Sequence, residues 1–159
     1  MKFAITVILL WGFMFLDTAN AGKAKSMCPE GWFFFAPSCY GYFTDRLTWA
    51  DAEFDCTSYG VGGHLASIHN DREAEIIAQH LTNGRKDVNV WIGGNDPRQN
   101  GRWKWTDGSM FDYKPWSYGE PNNIDHQEYC LEFQAHIGFK TWNDIRCDQK
   151  NYFVCKYKP

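Results

Sequence analysis

The chain has 159 residues and a formal net charge of −3, with 16 Lys and Arg set against 19 Asp and Glu. A slightly negative chain with no long Lys/Arg run excludes electrostatic wrapping of nucleic acid, so no nucleic-acid partner is expected. No internal repeat or low-complexity stretch is present, and the length suits a single domain.

Residues 1–21 read as a signal peptide. Lys2 is a short positive start, Phe3 to Leu16 is apolar, and Ala19-Asn20-Ala21 is a small-x-small cleavage site. The apolar core ends at Asp17, short of the roughly 20 residues a membrane span requires, and no later stretch qualifies. The expectation is a secreted, extracellular protein without a membrane span, with residues 22–27 as a tail and 28–159 as the domain.

Trp32 to Tyr42 carries Trp32, Phe33, Phe34, Phe35, Tyr40 and Tyr42. This predicts a short hairpin turning at Pro37-Ser38, its aromatics packed on the core rather than displayed as a platform. Thr48 opens a helix, because Thr48 and Asp51 have capping-box spacing and Gly60 is a stop. Asn70 opens a second, with Glu73 three residues on, Ile76, Ile77 and Leu81 at helical spacing, and Asn83-Gly84 as its end. From Val90 the pattern turns to strands: Val90 to Ile92, Trp103 and Trp105 alternating about Lys104, Tyr129 to Phe133 with Glu128 at its start, Trp142, and Tyr152 to Tyr157. Between Gly93 and Glu128 lies a loop-rich region of a kind that is usually functional, and a bound cation would order it. The fold class is α+β: two helices against small antiparallel sheets, with one long loop.

Six cysteines, Cys28, Cys39, Cys56, Cys130, Cys147 and Cys155, all follow the leader. An even count in a secreted chain implies a disulfide framework, and 15 pairings are open from the sequence alone.

Glu120, Asn122, Glu128, Asn143 and Asp144 are five oxygen-bearing side chains in one stretch. Ca²⁺ is a hard cation that takes roughly 6–8 oxygen ligands, whereas thiols and imidazoles suit softer metals. Three carboxylates and two amides would leave about one net negative charge on the filled site, and open positions remain for water or hydroxyls. Pro121 separates two of these residues and admits a cis bond at low cost. The same residue types also populate ordinary turns.

Glu120-Pro121-Asn122, Glu128 just before Cys130, and Trp142-Asn143-Asp144 just before Cys147 resemble the mannose-type site of C-type lectins. His64 to Ile68 (HLASI), Trp91-Ile92-Gly93 and all six cysteines fit the same family, so the resemblance spans nearly the whole mature chain. CPEGWFFFAPSCYGYF and the final CKYKP are most similar to soluble single-domain members, the regenerating-protein and venom lectins. The resemblance implies a calcium-binding loop in a C-type lectin domain and Ca²⁺ as cofactor. It implies Glu120, Asn122, Glu128, Asn143 and Asp144 as ligands of both metal and sugar, and mannose-type glycans or glycoproteins as partners. It also implies three disulfides, Cys28–Cys39, Cys56–Cys155 and Cys130–Cys147. With no cysteine left over, and Gly63 where disulfide-linked venom lectins carry a cysteine, no covalent dimer is expected. Galactose-type sites read QPD and often add an aromatic shortly after; Ile124 stands at that place here.

A second calcium site is common in the family near the loop after WIG. Asp96 is a possible ligand, but Asn100 and Tyr129 stand where a carboxylate would help, and Gly94 departs from the usual leucine. Ser67, His64, His69 and Asp71 suggest a hydrolase triad, yet no GxSxG-like elbow marks a nucleophile, and catalysis is not expected. His126 and Glu128 lack further histidines at zinc-ligand spacing, which leaves His126 as a solvated loop residue. Trp116 and Tyr118 precede the EPN run and are read as loop packing rather than as stacking platforms. The competing function is a C-type lectin-like domain that binds a protein, mineral or ice surface instead of a sugar.

Overall fold

The computed structural model describes residues 27–81 and 88–159. The leader at 1–21, most of the tail and the helix stop at Asn83-Gly84 lie outside the described residues. The elements are β1 (Trp32–Phe35), β2 (Ser38–Leu47), α1 (Trp49–Cys56), β3 (His64–Leu65), α2 (Asp71–Leu81), β4 (Val90–Asn95), β5 (Lys104–Trp105), β6 (Glu128–Phe133), β7 (Trp142–Arg146) and β8 (Asn151–Tyr157).

Local chemistry accounts for both helices. The Thr48 hydroxyl accepts from the Asp51 backbone N–H and bonds the Asp51 carboxylate, closing the capping box that starts α1. Asn70 Oδ1 accepts from the Glu73 N–H at 2.9 Å and so caps α2. α1 ends at Cys56, and turn bonds from Thr57, Ser58 and Tyr59 carry the chain on to Gly60. The β1–β2 hairpin turns one residue earlier than expected, at Ala36-Pro37. That peptide is cis, as a turn with proline at its third position requires when Phe35 pairs directly with Ser38.

The strands run in the order β1-β2-β8-β4-β6-β7, with β3 on β8 and β5 on β4. Antiparallel pairing dominates, and the parallel pairing of β4 with β8 joins the pairs into a continuous sheet. Two clusters form the core. One contains Ile68, Ile77, Leu81, Ile92, Leu131, Phe133 and Trp142; the other contains Trp91, Phe153 and the Cys56–Cys155 bridge. Full burial of each large side chain is worth about 1.5–3 kcal/mol. All three disulfides have the pairing implied by the family resemblance, and no cysteine of the chain is free.

The long loop is ordered largely by its own aromatics. Trp103, Phe111, Tyr113 and Trp116 pack around Trp105 and Trp142, with ring centroids 5.1 Å apart for Trp103–Trp116 and 5.3 Å for Trp105–Trp142. Backbone bonds then tie the loop to β7: Trp142 N–H donates to Pro115 O and Ser117 N–H donates to Trp142 O, both at 2.9 Å. This contact delivers the next residues, Tyr118 to Asn123, to the end of β7.

Two glycines mark close approaches. A Cβ on Gly63 would lie 2.5 Å from the Cys56 carbonyl oxygen, so there is no room for the cysteine that disulfide-linked relatives carry there. A Cβ on Gly94 would lie 2.7 Å from Leu131 Cδ1, and Leu131 fills the space that a leucine would otherwise take. β4 is fully buried along its length.

Candidate functional site

β7 supplies Asn143 and Asp144, β6 begins with Glu128, and the loop brings Glu120 and Asn122 to them. Register sets the rest: Leu131 pairs with Asp144 and Glu132 with Asn143, while a bulge between Glu128 and Cys130 re-aims Glu128. The Cys130–Cys147 disulfide links the two strands just beyond these residues.

Asp144 is 1 % exposed. Its carboxylate accepts from the backbone N–H of Asn122 at 3.0 Å and of Asn123 at 2.9 Å. These bonds pin the loop onto β7. The Glu120–Pro121 peptide is cis, and Asn122 Nδ2 donates to Glu120 Oε1 at 2.9 Å. Glu128 Oε2 accepts from the Ile124 N–H at 3.1 Å, as does Asn122 Oδ1. Glu120, Asn122, Glu128 and Asp144 are therefore joined in one hydrogen-bonded assembly through the Asn122, Asn123 and Ile124 N–H groups, whereas Asn143 precedes Asp144 on β7 and its side-chain amide bonds Glu132. No group of three His, Cys, Asp or Glu side chains among the described residues is gathered to hold a metal.

The carboxylates oppose one another. Burial, then a hydrogen bond and repulsion from Asp144, push Glu120 up to about 7. Glu128 is also raised, first by burial, with Asp144, Glu132 and Asp125 adding repulsion. A hard divalent cation fits this chemistry, because it would offset like charges that water only partly screens.

Two residues escaped the sequence reading. Asn123 sits at φ 43°, its N–H donates to Asp144 Oδ2, and its Oδ1 accepts from the Glu128 N–H at 3.1 Å. The signal was an asparagine in a tight loop, since asparagine tolerates left-handed backbone. Glu132 is 2 % exposed and accepts from the side-chain amides of Asn89, Asn143 and Asn151. Its signal was a carboxylate inside the apolar run Cys130 to Phe133.

The aromatic neighbours divide. Trp116 packs as expected, but Tyr118 is fully exposed beside Glu120, and Ile124 is also exposed. Asp96 is 4 % exposed and accepts from the Gly101 N–H at 2.7 Å. The depression around it is lined by Arg98, Arg102 and Lys104, whose charges oppose a second divalent ion. His126 is exposed.

Ser67 and His69 do meet, at 3.2 Å, with Asp112 rather than Asp71 3.6 Å from the other ring nitrogen. The Ser67 hydroxyl donates instead to Asp107 at 2.5 Å, accepts from Lys156 at 3.1 Å, and is completely buried. Its bonds to Asp107 and Lys156 make the cluster a polar network that includes the buried Lys156–Glu73 ion pair. His64 bonds Glu53 elsewhere, at 2.6 Å.

Comparison with known proteins agrees with this architecture. The model of the lectin C-type domain matches residues 45–157. Regenerating islet-derived protein 4 of Rattus norvegicus is 42 % identical over 135 residues, 85 % of this chain and 84 % of the relative. A C-type lectin mannose-binding isoform of Oxyuranus scutellatus is 39 % identical over 153 residues, 96 % and 94 % of the two chains. Among solved structures, human lithostathine superposes with a TM-score of 0.78 at 38 % identity, covering 83 % of this chain and 91 % of that one. A calcium-independent type II antifreeze protein gives 0.72 at 34 % identity, covering 82 % and 94 %. Matching domain, fold and disulfide framework together, the chain belongs to the C-type lectin domain family.

Proposed function

We propose that the protein is a secreted, calcium-dependent carbohydrate-binding protein of mannose-type specificity. The observation that carries this reading is the convergence of Glu120 and Asn122 from the loop, Glu128 from β6 and Asp144 from β7, with Asn143 beside Asp144 on β7. Bound Ca²⁺ would supply positive charge and open coordination positions for two neighbouring sugar hydroxyls. Glu120 and Glu128 accept from those hydroxyls, and the side-chain amides of Asn122 and Asn143 donate to them. Charge-assisted bonds of this kind are about twice as strong as neutral ones. Asp144 holds the loop through the Asn122 and Asn123 N–H groups and would complete the oxygen shell of a bound metal. The EPN order suits vicinal equatorial hydroxyls, and the partners are mannose-type glycans or glycoproteins.

Nothing in this chemistry breaks or forms a covalent bond, and we assign no enzymatic activity. No helix of the described residues is long and apolar enough to cross a membrane.

One observation favours a second reading: the similarity to a structure described as a calcium-independent antifreeze protein. On that reading the fold presents a surface to ice, mineral or protein, and the loop is only scaffold. Chromatography on immobilised mannose separates the two. The protein should be retained in calcium and released by a chelator. Passage through the column in calcium, or retention that survives the chelator, would rule out the sugar reading.

A further inference from the structure

Glu132 lies on β6 opposite Asn143 on β7. Its Oε1 accepts from Asn143 Nδ2 at 3.0 Å and from Asn89 Nδ2 at 2.9 Å, and its Oε2 accepts from Asn151 Nδ2 at 2.9 Å. The group is 2 % exposed. Its side-chain partners are thus three neutral amides, from the segment before β4, from β7 and from β8. An isolated buried carboxylate would be costly, and these charge-assisted bonds offset that cost.

The arrangement has a directional consequence. A carboxylate only accepts, so the face of the Asn143 amide turned toward Glu132 must be its nitrogen. The amide is planar, and its oxygen is then turned to the opposite side. One N–H is used by Glu132 and the second is left over. Without that bond the Asn143 amide of the metal-free chain could turn either end toward the site, and only its oxygen end is ready to receive a cation.

We propose that Glu132 is a positioning residue for sugar recognition: it fixes the Asn143 amide in the one orientation that leaves its oxygen for the metal and its second N–H for a sugar hydroxyl. This rests on the calcium and sugar reading given above. Glu132 touches neither ligand and acts through Asn143. The Asn151 contact gives an internal control, because it shares the carboxylate without touching the site.

The test compares wild type with Glu132→Gln and Asn151→Ala, using thermal unfolding, calcium affinity and mannose affinity at saturating calcium. A glutamine at 132 can also donate, so the Asn143 amide loses its bias. Mannose affinity in Glu132→Gln should fall about 10–100-fold, the range found when a group supporting a ligand residue is changed. Asn151→Ala should lose thermal stability yet bind mannose as wild type does. A Glu132→Gln protein that binds mannose normally would overturn the proposal, as would an Asn151→Ala protein that loses affinity equally. If wild type itself ignores mannose, the sugar reading fails and takes this proposal with it; if wild type binds and Glu132→Gln is indifferent, this proposal fails alone. Should Glu132→Gln not fold, the wild-type side-chain amide of Asn143 decides by NMR. One of its protons should resist solvent exchange without ligand, and the other should become protected only with calcium and mannose. Two protons exchanging alike would overturn the assignment.

Discussion

Glu120 and Glu128 sit where burial and the Asp144 carboxylate both oppose ionisation, and this gives the metal-free protein a pH signature. Glu120 rises from 4.5 to about 7 in the folded chain, and Glu128 moves the same way. The folded state therefore holds these protons more tightly than the unfolded one. The resulting contribution to stability is complete below the unfolded value and is lost as pH rises through the folded value. In chelator, this pair should lower the melting temperature between pH 4.5 and about 7. Calcium needs the ionised carboxylates, so the melting shift it produces should be large at pH 7 and small near 4.5. Differential scanning calorimetry at the two pH values, with and without calcium, checks this; a calcium shift of equal size at both would show that these carboxylates are not ligands. Also at this scale, exchanging Glu120→Gln together with Asn122→Asp keeps an oxygen at each position and conserves charge while reversing donor and acceptor. Competitive elution should show clear loss of mannose binding and a weak gain for galactose, about −4 kcal/mol or millimolar. The gain stays small because Ile124 offers no aromatic face. A double variant that binds calcium and retains full mannose affinity would mean that this loop does not read the sugar.

The pairing of β6 with β7 is the element on which the site depends. Cys130–Cys147 closes a separation of 17 residues across it, and a loop of that length implies about 3 kcal/mol of stabilisation. Replacing both cysteines by alanine should cost that order of stability in denaturant unfolding. It should also weaken calcium binding, since Glu128 and Asp144 approach from the two strands the bridge joins. Unchanged calcium affinity would show that the strand pairing alone sets the geometry. Much at this scale was legible in the chain. Thr48 with Asp51 and Asn70 with Glu73 announced both helices, because caps are local chemistry. EPN, Glu128 and WND stood out because a hard cation would need oxygens of those kinds, and the fold does bring Glu120, Asn122, Glu128 and Asp144 together. The parallel contact of β4 with β8 was not legible, since both strands are buried and a buried strand shows no alternation. Glu132 was hidden for the same reason: Cys130 to Phe133 is buried on both faces, so nothing in the pattern showed where its carboxylate would find partners. Tyr118 was misread with Trp116, because proximity in sequence does not show that one ring enters the core while the other stays in water.

For the molecule as a whole, the hydrophobic core and three disulfides form a scaffold that many different surfaces can share, and the similarity to both a mannose-binding lectin and a calcium-independent antifreeze protein reflects this. On the function proposed here, the deciding surface lies at one end, where the aromatic loop delivers Glu120 and Asn122 to β7. All six cysteines are paired within the chain, which leaves no thiol for a disulfide to a second copy. The most direct measurement is a calorimetric titration of the mature protein with mannose, run once at saturating calcium and once in chelator. The account predicts saturable binding of one sugar per chain in calcium and none in chelator. Equal binding in both, or no binding by a calcium-loaded protein, would contradict it.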